Sequence, residues 1–157
     1  MIGNTYYHNF VTHLLEAAYQ REAYKIVDQG GTLQADALSE IMKGVLEKFW
    51  GGEVELTEGA ELTWMRQPHY YMGLYSYTYS AGLTIATQVA DRIEREGESA
   101  VSDWKKVLAA GGTLKPIEFA RQAGVDVTTD EPLKKTIETI GGMIDELWTL
   151  SEELGEI

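Results

Sequence analysis

Apolar residues recur at helical spacing through most of the chain, and glycine pairs separate the repeats. The first two amphipathic helices are predicted over residues 6–29 and 34–50, and each stops at a glycine pair. Further helices are predicted over residues 62–65, 70–96, 100–110 and 116–124, with a last one starting near residue 130. The pattern predicts an all-α fold, a helical bundle of about six to seven helices in a single helical unit spanning residues 1–157.

The last predicted helix carries a glycine pair in its middle. Each glycine costs a helix about 1 kcal/mol relative to alanine, so Gly141 and Gly142 predict either a break or a close approach by another backbone. The apolar positions of this helix step by four and three residues. They are Leu133, Ile137, Ile140, Ile144, Leu147 and Leu154.

Composition narrows the classes of function. The formal charge is −12, which opposes binding to nucleic acid and to anionic membranes, so neither is an expected partner. There is no cysteine, which excludes thiolate zinc sites and cysteine nucleophiles. With three histidines, a metal site within the chain would have to use carboxylates as well. The first residues lack the pattern of a signal peptide, so we expect a cytoplasmic protein.

An uncharged segment over residues 67–90 contains His69 and five of the nine tyrosines. Its many hydroxyl groups argue against a membrane span and favour a helix buried by other protein. On one continuous helix Tyr71, Tyr75 and Tyr79 would share a face, with Gly82 further along it and Tyr77 pointing nearly the other way.

Two interpretations of this segment stay open on the residues alone. Aromatic stripes at helical spacing are commonly packing residues whose hydroxyls reach solvent or backbone. Alternatively, His69, Tyr75 and Tyr79 converge on a cleft and donate hydrogen bonds to a carbonyl or a developing oxyanion. Donors of that kind contribute about 3 to 4 kcal/mol each to a transition state.

The segment QPHYYMGLYSYTYSAG, residues 67–82, closely resembles a C-terminal motif of oligoendopeptidase F, a zinc metallopeptidase of the thimet oligopeptidase-like family. The resemblance extends in order along nearly the whole chain. It continues in TYYHNF at residues 5–10, FWG at 49–51, AGG at 110–112 and AGVDVTT at 123–129.

The resemblance implies a mostly helical peptidase that hydrolyses short peptides. In this family an HExxH helix and a later glutamate hold zinc, and the HExxH glutamate activates the attacking water. C-terminal histidine and tyrosine residues steady the oxyanion and the substrate backbone. These catalytic roles fall on His69, Tyr75 and Tyr79, and substrate-binding roles on Tyr71, Tyr77 and Gly82, where some relatives have a further tyrosine.

The chain departs from the family in having no HExxH. His8 and His13 are five residues apart, a spacing that does not place two imidazoles on one α-helical face. His13 and Glu16 are an i, i+3 pair, for which a hydrogen bond on the helix surface is several times commoner than a metal site. We therefore predict no metal ligands here, and zinc bound in the intact family enzyme but not by this chain alone.

The expectation is a C-terminal fragment of a zinc metalloendopeptidase catalytic domain, acting on an oligopeptide substrate and inactive by itself. The alternative is a truncated helical module that binds peptides or self-associates without catalytic activity, since truncation would expose apolar surface.

Overall fold

The computed structural model describes residues 1–157, and all of its regular structure is helical. The all-α prediction is therefore confirmed. The main helices follow a π-helical segment, Ile2–Thr12, and are α1 (His13–Asp28), α2 (Ala35–Trp50), α3 (Tyr77–Glu96), α4 (Glu98–Ala110), α5 (Pro116–Gln122) and α6 (Glu131–Leu154). Short 3-10 segments lie at Ala60–Met65, Pro68–Tyr71 and Gly111–Thr113.

One compact unit comprises Tyr7–Ser80. In it α2 packs on α1 and on the 3-10 segment Ala60–Met65. Met42 of α2 is fully buried there. The helix ends at Gly51, whose φ of 59° is the left-handed conformation that glycine adopts without a Cβ clash.

The other compact unit comprises Met1–Tyr6 and Ala81–Ile157. Val89 of α3, Val107 of α4, and Ala123 and Val125 after α5 form its apolar core. The Arg92 side chain donates to a carboxylate oxygen of Asp103 over 2.8 Å and to the backbone carbonyl of Ala123 over 3.3 Å. The core and this polar contact join α3 and α4 to the segment that follows α5.

The predicted continuous helix over residues 70–96 is wrong in its first part. Pro68–Tyr71 is a 3-10 turn, Gly73 has a φ of 63°, and the Tyr75 amide donates to the Gly73 carbonyl over 2.8 Å. This tight turn cannot continue an α-helix, so α3 starts only at Tyr77. Tyr71 and Tyr75 consequently do not share a helical face with Tyr79.

Both expectations for the glycine pair of the last helix are also wrong. Helix α6 runs unbroken through Gly141 and Gly142, and a Cβ on either residue would meet nothing within 4 Å. The buried residues of this helix are Pro132 and Thr136 near its start. Further along, the apolar positions are largely exposed, among them Ile137, Ile144, Leu147 and Leu154.

None of the helices combines the length and the apolar character that crossing a bilayer requires.

Candidate functional site

Three of the residues singled out by sequence meet in the unit Tyr7–Ser80. The ring of His69 stacks on Tyr75 with a centroid distance of 5.6 Å, and the rings of Tyr75 and Tyr79 meet edge to face at 5.6 Å. The Tyr79 hydroxyl lies 3.3 Å from His69 Nε2. The turn at Gly73 brings Tyr75 back over His69, so the three rings meet without sharing a helical face. We call His69, Tyr75 and Tyr79 the His–Tyr cluster.

Hydrogen bonds orient the His69 ring within this cluster. The Gln67 side-chain amide nitrogen lies 3.3 Å from Nδ1, and an amide N–H can only donate, so Nδ1 accepts. The ring proton is then on Nε2, and the Tyr79 oxygen accepts it. The Tyr79 hydroxyl keeps its own proton and donates it to the Tyr75 hydroxyl.

The cluster is partly exposed to solvent. The Tyr75 side chain is 40% exposed, while His69 and Tyr79 are half-buried. A hydroxyl that is held by its neighbours and is also accessible to solvent can donate to the carbonyl oxygen of a bound molecule. The arrangement therefore suits hydrogen bonding to a substrate carbonyl or oxyanion.

His13 and Glu16 adjoin the cluster, which sequence reasoning did not predict. Both are buried, with exposed fractions of 2% and 1%, so they do not lie on the helix surface. The His13 ring stacks on Tyr79 at 4.1 Å and meets His69 edge-on at 5.5 Å. No local pattern signals this contact, because His69 lies far along the chain.

The expectation for His8 and His13 also needs correction. Their ring centroids are 6.1 Å apart, and His13 Nδ1 donates to the backbone carbonyl of His8 over 3.1 Å. The preceding segment is π-helical, and π-helical winding relates residues five apart rather than four. The spacing of five therefore places the two rings together, although His8 itself is exposed.

Burial and hydrogen bonding shift the pKa values of several groups in this unit. Burial lowers the pKa of His13 and outweighs the nearby Glu16 carboxylate, so the neutral imidazole is favoured. The Tyr75 hydroxyl, followed by burial, raises the pKa of Tyr79. Burial raises the pKa of Tyr70 above its usual range and that of Tyr19 to about 12. These phenols are neutral donors near pH 7.

The three residues predicted to bind substrate make none of the ring contacts of the cluster. Tyr71 is 67% exposed, and its hydroxyl donates to the Trp64 carbonyl over 3.1 Å. Tyr77 is half exposed in the first turn of α3. Gly82 is exposed within α3, and a Cβ there would meet nothing within 4 Å.

Comparison with protein families and curated sequences finds consistent matches. The family model described as peptidase family M3 matches residues 5–139. The oligopeptidase PepF of Bacillus subtilis is 28% identical over 131 residues, which are 83% of this chain and 20% of that protein. An oligoendopeptidase F homologue of Borreliella burgdorferi is 24% identical over 138 residues, 88% of this chain and 23% of that protein. The chain thus spans about a fifth of the length of these relatives.

A solved structure resembles the chain as well. It is a crystal structure of oligoendopeptidase-F from Enterococcus faecium, with a TM-score of 0.84 and 25% sequence identity. The match covers 90% of this chain and 27% of that one. The resemblance to oligoendopeptidase F that the sequence predicted is therefore confirmed in both sequence and fold.

Proposed function

Because the chain belongs to peptidase family M3, matched over residues 5–139, we propose that it supplies substrate-binding and oxyanion-stabilising groups to an oligoendopeptidase F-type zinc metalloendopeptidase. The substrate is a short peptide. Residues 1–157 form a C-terminal part of the catalytic domain, and we propose substrate-binding roles for Tyr71, Tyr77 and Gly82 as well.

The observation that carries this proposal is the convergence of His69, Tyr75 and Tyr79 on a single solvent-facing cluster. As a peptide carbonyl is attacked, negative charge develops on its oxygen. Neutral phenol donors held in place before the reaction stabilise that charge without having to reorganise. The exposed Tyr75 hydroxyl is the donor to the carbonyl, and the Tyr79 hydroxyl, hydrogen-bonded to Tyr75 and to His69, holds it in place.

The resemblance implies that an HExxH motif holds zinc in this family, and this chain does not contain that motif. The His–Tyr cluster does not supply those ligands, so we assign the activation of water to residues of the enzyme outside this chain. The contribution of this chain is to bind the peptide and to stabilise charge on its carbonyl.

A chimaeric enzyme tests the proposal. Residues 5–139 replace the matching segment of the Enterococcus faecium oligoendopeptidase-F, and hydrolysis of quenched fluorescent peptides is measured. We expect the chimaera to cleave peptides and Tyr79→Phe to lower kcat. Full activity of the Tyr79→Phe chimaera would contradict the assigned role of Tyr79.

A second candidate function is self-association without catalysis. The observation that favours it is the exposed apolar surface of α6, where Leu147 and Trp148 are 55% and 61% exposed. Sedimentation of the 157-residue chain tests it. Oligomers that dissociate on Trp148→Glu would support this function, and a monomer at all concentrations would rule it out.

A further inference from the structure

Two histidines and one glutamate meet at the base of the His–Tyr cluster. His13 and Glu16 lie one turn apart on α1, and His69 approaches from the 3-10 turn Pro68–Tyr71. A ring nitrogen of each histidine and a carboxylate oxygen of Glu16 all lie within 4.8 Å of one another. Three side chains of the types that bind metals therefore lie close together inside the unit Tyr7–Ser80.

The Glu16 carboxylate is buried, and one of its two oxygens makes no hydrogen bond. Its exposed fraction is 1%, and its Oε2 atom has no hydrogen-bond partner. A carboxylate oxygen removed from water without a partner is costly, and such oxygens in folded proteins are usually satisfied by donors or cations. The unpaired oxygen belongs to the same residue that faces the two imidazoles.

The hydrogen bond of His13 prepares that imidazole to bind a cation. A backbone carbonyl can only accept, so the 3.1 Å contact with the His8 carbonyl places the ring proton on Nδ1. The lone pair is consequently on Nε2. Histidines that bind metals commonly donate their other nitrogen to a backbone carbonyl or a carboxylate in this way, which fixes the tautomer and the ring orientation.

We propose that His13, Glu16 and His69 form a binding site for a divalent transition-metal cation, with Zn²⁺ as the best fit. Two imidazoles and one carboxylate are a set of donors that zinc accepts, and they leave a fourth position for water or another ligand. Ligand atoms on tetrahedral zinc stand about 3.3 Å apart, so side-chain shifts of about 1 to 1.5 Å complete the site. None of these residues belongs to an HExxH motif, and the site was not predicted from sequence, where no metal ligand was expected.

His69 belongs both to the proposed zinc site and to the proposed peptidase function. The zinc site is argued separately, from the three ligand atoms and the unpaired Glu16 oxygen. Zinc on His69 would compete with the hydrogen bonds that this ring makes to Gln67 and Tyr79. Tyr75 is not a ligand. Removal of the Tyr75 hydroxyl should therefore change peptide hydrolysis and leave zinc affinity unchanged, so the two proposals can fail separately.

Metal binding is measured on the purified 157-residue chain after treatment with a chelator. We expect calorimetry to give one Zn²⁺ per chain, and Co²⁺ to give the intense visible absorption of a four-coordinate site. His13→Ala and Glu16→Gln should each weaken binding at least tenfold. His8→Ala is the matched control, because it removes an exposed imidazole but keeps the backbone carbonyl, and its affinity should equal that of the unsubstituted chain.

Nitrogen-15 spectra of the histidine rings keep the test decisive if a variant fails to fold. In the unsubstituted chain, Zn²⁺ should shift the ring signals of His13 and His69 and leave those of His8 in place. Absence of stoichiometric zinc, shifts confined to His8, or equal losses of affinity in His8→Ala and His13→Ala would overturn the proposal.

Discussion

The side-chain amide nitrogen of Gln20 lies 3.1 Å from the backbone carbonyl oxygen of His69. The same nitrogen donates to the carbonyls of Tyr70, over 3.2 Å, and Gly73, over 2.6 Å. One buried side chain of α1 thus holds the irregular segment that carries His69 and the turn before Tyr75. The position of the His–Tyr cluster depends on this attachment as well as on the ring contacts.

Replacing Gln20 with alanine should destabilise the protein by about 1 to 3 kcal/mol, because the two N–H donors that these three carbonyls share are lost inside the fold. Urea unfolding followed by circular dichroism measures the change. Gln29→Ala is the control, since Gln29 is exposed just beyond the same helix, and we expect its effect to stay within about 0.5 kcal/mol. Equal effects of the two substitutions would show that the Gln20 bonds do not hold the segment.

In the chimaeric peptidase, Tyr75→Phe should lower kcat by about 100-fold and change KM much less, because a bond to a developing oxyanion strengthens in the transition state. Steady-state kinetics with a quenched peptide separates the two parameters. Tyr24→Phe removes another partly exposed hydroxyl of the same unit and should leave both unchanged. An unaltered kcat for Tyr75→Phe would remove this hydroxyl from the proposed role.

Alanine at Gly141 and Gly142 together should raise the free energy of unfolding by about 1 to 2 kcal/mol. Both residues lie inside the unbroken helix α6, and an added Cβ meets nothing within 4 Å. Gly124→Ala provides a contrast of opposite sign. Gly124 has a φ of 85°, and a Cβ there would lie 2.6 Å from Arg92 Nη1, so thermal unfolding should show a loss of stability.

The carboxylate of Asp103 should contribute to stability in a pH-dependent way. Hydrogen bonds from Lys106 and then Arg92 lower its pKa in the folded state. A lowered folded pKa means that the contribution is present above the ordinary aspartate pKa, about 3.9, and is lost as pH falls through the lower folded value. Urea midpoints of the unsubstituted chain and Asp103→Asn should differ at pH 7 and converge near pH 2. Asp145→Asn, at an exposed position of α6, is the control, and its urea midpoint at pH 7 should equal that of the unsubstituted chain.

Local patterns predicted α2 and α4 and the end of α1 closely, because amphipathic spacing and terminal glycines act over a few residues. The predicted start of the first helix at residue 6 is wrong, since residues 2–12 are π-helical and α1 begins at His13. The sequence does not predict the break before α3, because the uncharged aromatic segment is compatible with a helix. The positive φ of Gly73, which interrupts it, is not visible in the pattern of residues. The uncharged aromatic segment points to His69, Tyr75 and Tyr79 as one of two interpretations, and the resemblance to a family favours it. The contact of His13 and Glu16 with His69 joins residues far apart in sequence, and tertiary packing alone brings them together.

The hydrogen bond from His13 to the His8 carbonyl constrains evolution in an unusual way. The acceptor belongs to the backbone, so any residue at position 8 can supply it. The number of residues between the two positions matters instead, since the π-helical winding places the carbonyl five residues back. Selection at this point of the chain should therefore tolerate substitutions at position 8 and reject insertions or deletions between residues 8 and 13.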